Sequence, residues 1–207
     1  MEKIIYILLL IILDNDFYKN IKPAVTNNFD FIVNKNYNLD ENYIPNDLEK
    51  ISSLYSCEEK YLRTLAKNSF EKMAIDAKKE GFNIIAVSAY RSYNYQKKLY
   101  NNYVIEKGIY YADMCSARPG HSEHQTGLAV DVSNSSLDYD NFESTKEFLW
   151  IKENAHKYGF IMRYPKAKFH ITGFKYEPWH YRYVGIDVAT YIYQNNITLE
   201  EYKKNYT

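Results

Sequence analysis

The stretch "SEHQTGLAVDV", Ser122–Val132, sets a polar segment against an apolar run and puts a carboxylate inside the run. Gly127 separates the two halves, and "LAVDV" reads as a strand. A carboxylate buried in a strand without a partner is very costly. Asp131 therefore meets a cation, either a basic side chain such as Arg118 or a metal ion. His124, seven positions upstream, stands across the glycine turn from it.

Outward from this stretch, helices and short strands follow one another without the regular alternation of a doubly wound sheet. Toward the N-terminus, "FNIIAVSAYRS" is a short apolar strand running to Arg91. Before it, Ser56 and Glu59 have capping-box spacing, and Leu62, Leu65, Ala66, Met73, Ala74 and Ala77 recur on one helical face up to Gly81. After it, Ser92 is placed to cap a helix that carries Leu99, Tyr103 and Val104 and closes at Gly108. Toward the C-terminus, Ser144 and Glu147 open a helix that runs to Gly159. "FIMRY" and "WHYRYVG" are strands, residues 185–194 form a helix, and Thr198 with Glu201 caps a final one. Residues 14–55 are irregular, with one strand expected near Phe31–Val33. The class implied is α+β: a small, mostly antiparallel sheet carrying the site, flanked by helices.

A chain of 207 residues with 46% hydrophobic and 25% charged residues has the bulk of a single soluble domain. Its 26 basic and 26 acidic residues leave no net charge, which argues against a nucleic-acid partner. The 23 tyrosines are read as half-buried positions in preference to a ligand groove. Two cysteines, Cys57 and Cys115, are too few for a thiolate zinc site, and they form a bridge only if the protein is exported. The apolar run Ile4–Leu13 is ten residues long, short of the roughly 20 that span a bilayer. It fits a signal-peptide core or an uncleaved anchor, so residues 1–20 are read as a leader or membrane anchor and 21–207 as one domain. That reading places the protein outside the cytoplasm, in the cell envelope, with membrane association through the apolar run.

The second informative stretch is "YEPWHYRYVG", Tyr176–Gly185. Glu177 and His180 are three apart, so a regular strand would send them to opposite faces. Pro178 keeps Glu177 out of helical geometry, which leaves a bend that can aim both side chains into one pocket. His124, Asp131 and His180 then make two imidazoles and a carboxylate, the three protein ligands of a catalytic zinc with one position open. Glu177 is placed to act as general base, and Arg91, at a strand end before a helix, to steady an oxyanion. Of the remaining histidines, His121 is expected at the pocket rim, His170 in loop packing and His156 on an exposed helix.

"SAYRSYNYQ", "RPGHSEHQTGLAVDV" and "YEPWHYRYVG", in that order, resemble the three motif blocks of the VanY-type D-alanyl-D-alanine carboxypeptidases. The upstream "VNKNYNLDENYIPNDL" resembles that family's entry segment, so the likeness covers roughly residues 31–185. The resemblance implies a zinc metallocarboxypeptidase that trims peptidoglycan stem peptides, on the α+β fold shared with dipeptidases, phage endolysins and the hedgehog domain. It implies His124, Asp131 and His180 as ligands of one zinc ion, Glu177 as base and Arg91 as the group polarising the scissile carbonyl. Ser122 and Gln96 match positions that contact substrate. Three rival functions share the chemistry or the fold: an L,D-carboxypeptidase on tetrapeptide stems, a lysin-type endopeptidase, and a zinc-stabilised wall-binding module without activity.

Overall fold

A computed structural model of the chain describes residues 18, 20–24, 28–138 and 141–206. The expected leader lies outside these apart from Tyr18 and Asn20. Among the described residues, no helix is long and apolar enough to cross a membrane.

The first third of the chain wraps the domain in short pairings. Strand β1 (Lys22–Pro23) runs parallel to β2 (Tyr37–Asn38), and β3 (Leu48–Lys50) antiparallel to β4 (Tyr61–Arg63). Phe31 and Val33 belong to no strand but are buried in the main core. Helix α1 (Thr64–Lys79) follows β4 directly, so it starts well after the expected cap at Ser56. The reason is tertiary. Residues 61–63 are held extended by β3, and the Ser56 hydroxyl donates to the Glu58 carbonyl instead of accepting from a helix N–H. The expected apolar face is present, with Ala66, Met73, Ala74 and Ala77 joined by Phe70, whereas Leu65 is half exposed.

Strand β5 (Ile85–Ser88) leads through Arg91 to α2 (Tyr93–Lys107), capped as expected by Ser92, whose Oγ accepts from Tyr95 N at 3.2 Å. Helix α3 (Ile109–Cys115) follows with no side-chain cap, which is why the sequence gives it no start signal. Next come a 3-10 turn (Glu123–Thr126), β6 (Ala129–Ser133), α4 (Lys146–Asn154), β7 (Phe160–Met162), α5 (Phe169–Thr172), β8 (His180–Tyr183), α6 (Ile186–Asn195) and α7 (Leu199–Tyr206). Thr145, not Ser144, caps α4, accepting from Phe148 N at 3.1 Å, while the Ser144 hydroxyl donates to the Asn141 carbonyl. The Thr198–Glu201 box on α7 is reciprocal, at 2.8 and 3.2 Å.

Strands β5, β6, β8 and β7, in that spatial order, form a four-stranded antiparallel sheet, and the α+β class holds. Alternation along β6 and β8 gives the sheet two different faces. Val130, Val132, Tyr181 and Tyr183 join one core with Phe70, Met73 and Phe160. Each large side chain buried there contributes roughly 1.5–3 kcal/mol. The opposite face carries the charged residues: Asp131 lies directly across from His180, and Ala129 across from Arg182. Both cysteines are free.

Candidate metal centre

The 3-10 turn exists because Ser122 caps it, its Oγ accepting from His124 N at 3.3 Å, and because Gly127 ends it at φ +67°. A Cβ at Gly127 would lie 2.8 Å from Leu48 Cδ2 and 3.0 Å from Arg63 Cγ, so a side chain there is both strained and crowded. The turn delivers His124 to the polar face of the sheet. Its Nδ1–H donates to the Ala89 carbonyl at 2.6 Å, which leaves the Nε2 lone pair facing Asp131 Oδ2 at 3.2 Å. His180 meets the other carboxylate oxygen, with Nδ1 2.9 Å from Asp131 Oδ1. The two rings sit edge to face, 4.9 Å between centroids. One donor atom from each of the three residues lies within 4.8 Å of the others.

This donor set fits a metal ion. Zinc–ligand bonds of about 2.0–2.2 Å set tetrahedral edges of roughly 3.3–3.6 Å; each imidazole already stands 2.9–3.2 Å from an Asp131 oxygen, and all three donors lie within 4.8 Å of one another. Burial, reinforced by Arg91, lowers His124 to about 4, so its ring is neutral and its lone pair available. Asp131 stays ionised despite burial because the two imidazoles hold it well below the usual carboxylate range. In the metal-free site burial opposes the charged form of His180. Its hydrogen bonds to Asp131 and Glu123 outweigh burial and hold it up to about 9.

The bend expected at Glu177–His180 is a tight turn closed by His180 N donating to the Glu177 carbonyl at 3.2 Å. It brings Glu177 Oε2 to 3.7 Å from His180 Nδ1, and burial pushes the Glu177 carboxyl up to about 7. Arg91 lies just beyond β5, tied by its backbone N–H to the His124 carbonyl at 3.2 Å, and its buried Nε has no hydrogen-bond partner among the described residues. Arg91, Ser122, His124, Asp131, Glu177 and His180 all line one cavity of about 140 Å³.

Gln96 does not line this cavity. It is buried beside it, its amide nitrogen donating to Ser116 Oγ at 3.1 Å and the Ala117 carbonyl at 2.7 Å. His121 is not at the rim either. It is buried, with Nδ1 2.8 Å from the Asn34 carbonyl. His156 is partly covered and stacks on Tyr193 at 3.9 Å, and His170 is exposed on α5. The alternative partner for Asp131 is engaged elsewhere: Arg118 forms a two-bond pair with Asp113 at 2.6 and 2.8 Å.

Glu123 is the residue that sequence reasoning passes over. Its side chain is fully buried, bonded to Arg163 Nε at 2.8 Å and Arg182 Nη1 at 2.6 Å, and it lies 3.5 Å from His180 Nε2. Between a serine and a histidine it reads as solvated loop. The available signal was elsewhere: Arg163 in "FIMRY" and Arg182 in "HYRY" are charges inside apolar strands, the same anomaly that singles out Asp131.

Fold and site together define a class, a small α+β domain with a donor set for one metal ion of the metallohydrolase kind. Residues 59–186 match the family model for VanY, D-alanyl-D-alanine carboxypeptidase, and the chain belongs to that family. It is 48% identical over 178 residues to YodJ of Bacillus subtilis (strain 168), covering 83% of this chain and 65% of that protein. It is 41% identical over 143 residues to a D-alanyl-D-alanine carboxypeptidase of Enterococcus faecium, covering 69% of this chain and 44% of that protein. The chain thus spans less than two thirds of the length of these relatives. Among solved structures, the LdcB LD-carboxypeptidase aligns with TM-score 0.78 and 48% identity, over 83% of this chain and 84% of that one. VanYB in complex with D-Alanine-D-Alanine aligns with TM-score 0.75 and 32% identity, over 86% and 99%. A vancomycin-resistance D,D-pentapeptidase VanY in complex with Zn(II) aligns with TM-score 0.72 and 33% identity, over 84% and 98%.

Proposed function

We propose that this chain is a zinc-dependent carboxypeptidase that removes the terminal D-alanine from peptidoglycan stem peptides. The observation that carries the reading is the convergence of His124 Nε2, Asp131 and His180 Nδ1 on one cavity with Glu177 and Arg91, in a chain of the VanY family. His124, Asp131 and His180 would hold the ion. When bound, zinc supplies a water whose pKa falls toward neutrality, to about 7 in favourable sites, and polarises the scissile carbonyl.

The chain's own residues do the rest. Glu177, half-buried and with its carboxyl pushed up to about 7, takes the proton of the attacking water and returns it to the departing amine nitrogen. Arg91 offers a buried N–H, unpartnered among the described residues, to the carbonyl oxygen as it gains charge. Tyr164 and Phe174, 4.7 Å apart between centroids, form an aromatic part of the cavity wall. Ser122 lines the same cavity and is available to a substrate polar group, whereas Gln96 acts by fixing Ser116 and Ala117, which form part of the wall. A wall substrate puts the working enzyme outside the cytoplasmic membrane, with residues 1–20 as leader or anchor.

A second reading is an L,D-carboxypeptidase acting on tetrapeptide stems, favoured by the likeness to LdcB. Purified penta- and tetrapeptide muropeptides, incubated with and without chelator and weighed by mass spectrometry, separate the possibilities. Loss of one alanine from the pentapeptide alone supports the first reading, and loss from the tetrapeptide the second. An internal cut indicates an endopeptidase. A folded, zinc-loaded protein that cleaves none of them overturns the enzymatic reading.

A further inference from the structure

His180 has carboxylates at both ring nitrogens. Nδ1 faces Asp131 at 2.9 Å and Glu177 at 3.7 Å, and Nε2 faces Glu123 Oε2 at 3.5 Å. That last separation is at the outer limit for a hydrogen bond, and what holds it there is the position of the Glu123 carboxylate. The other oxygen of Glu123 accepts from both Arg163 Nε and Arg182 Nη1.

Each arginine is itself anchored. Arg163 makes a second, two-bond pair with Glu200 of α7 at 2.8 and 2.6 Å, and Glu200 also accepts from Asn34 Nδ2 at 3.0 Å. Arg182 Nη2 donates to the Phe29 and Phe31 carbonyls at 3.0 and 2.9 Å. Two guanidinium groups against two carboxylates leave the cluster neutral, and the side chains of Glu123, Arg163 and Arg182 have no exposed surface.

Such a cluster is a poor source of stability, because taking four charges out of water costs about what their attraction returns. It does give a fixed position. Arginine donors from β8 and from the residue just after β7 lock the Glu123 carboxylate and leave Oε2 for one further donor. The strand register puts that donor in reach: Arg182 and His180 share the polar face of β8, and Arg163 N donates to the His180 carbonyl at 3.1 Å. Glu177 cannot serve the same purpose, since it faces the Nδ1 side, where an ion would sit.

We propose that Glu123 is a positioning residue. It accepts Nε2–H of His180 and so fixes the tautomer that presents Nδ1 to the metal, while Arg163, Arg182 and Glu200 hold its carboxylate in place. The inference rests on the metal reading given under the proposed function. It makes the two ligand histidines opposite tautomers: His124 protonated at Nδ1 against Ala89, and His180 protonated at Nε2 against Glu123.

Long-range 1H–15N correlation spectra of the zinc-loaded wild-type protein read this directly. The expected result is His180 protonated at Nε2 and bound through Nδ1. Coordination through Nε2 would overturn the proposal. In parallel, Glu123→Gln is expected to weaken zinc binding about 10–100-fold in chelator competition, and to shift the visible bands of the cobalt-substituted protein. A folded Glu123→Gln with zinc affinity within about twofold of wild type and an unchanged cobalt spectrum also overturns it, on the scale such contacts have. Should that variant not fold, the wild-type spectrum decides alone. A wild-type protein that takes up no zinc sinks the functional reading and this one with it. Zinc uptake with muropeptide hydrolysis but the wrong tautomer sinks only the role of Glu123.

Discussion

Lowering the pH should strip zinc from this site, and His180 sets the slope. In the metal-free protein burial alone would keep its ring neutral, but hydrogen bonds to Asp131 and Glu123 hold the imidazolium up to about 9. The proton faces Asp131 on Nδ1, the atom that would bind the ion, so zinc has to displace it. His124, lowered to about 4 by burial and Arg91, has no proton to give up at neutral pH. A group about two pH units above the working pH is about 99% protonated, which cuts apparent affinity about a hundredfold, or about 3 kcal/mol. The sign follows from the direction of the shift: a raised pKa means that a proton competes with zinc at neutrality and ceases to compete as the pH rises. Apparent zinc affinity should therefore climb about tenfold per pH unit between about 7 and 9 and flatten above that. Competition with a chromophoric chelator, corrected for the chelator's own protonation, measures the climb. NMR titration of the His180 ring protons in chelator-stripped protein measures the midpoint. A midpoint near the ordinary 6.5 or so of histidine, with affinity flat across this range, would mean that no proton on His180 competes with zinc at neutrality.

Glu177→Gln should leave zinc binding within a few-fold of wild type while lowering kcat by about 10²–10⁴, measured on muropeptide substrates. In the wild type, kcat/KM should fall as pH drops below about 7, because burial raises Glu177 to about 7 and a protonated carboxyl accepts nothing; a rate that rises toward acid pH would contradict this. Arg91→Ala should cost about 10²–10³ in kcat with zinc affinity unchanged, since it acts on the oxyanion. Gly127→Ala puts a Cβ 2.8 Å from Leu48 Cδ2 at φ +67° and should cost at least about 1–2 kcal/mol. Thermal unfolding would then move down by about 2–4 °C per kcal/mol, and an unchanged melting temperature would count against the strain.

What the sequence reveals here depends on how locally each feature is determined. Asp131 was legible because a charge within an apolar strand demands a partner, and the bend at Glu177–His180 because Pro178 leaves few alternatives. Ser92 and the Thr198–Glu201 box were legible because their caps are made within one turn of chain. Ser56 carries an equally good local signal and fails, because β3 claims residues 61–63 first. Ser144 misses by one position, since Thr145 accepts from Phe148 N while the Ser144 hydroxyl turns back to the Asn141 carbonyl. Phe31 and Val33 have strand composition but are buried by packing alone. Glu123 was the largest omission. Its partners, Arg163 just past β7 and Arg182 in β8, lie well downstream, and only the folded register joins them.

Whether His124, Asp131 and His180 converge on one ion is read by anomalous scattering at the zinc edge from crystals of the zinc-loaded protein. The expected result is a single strong peak bonded to His124 Nε2, Asp131 and His180 Nδ1 at about 2.0–2.2 Å, with Glu177 beside its open position. A peak elsewhere, or an ion that omits any of the three, would contradict it.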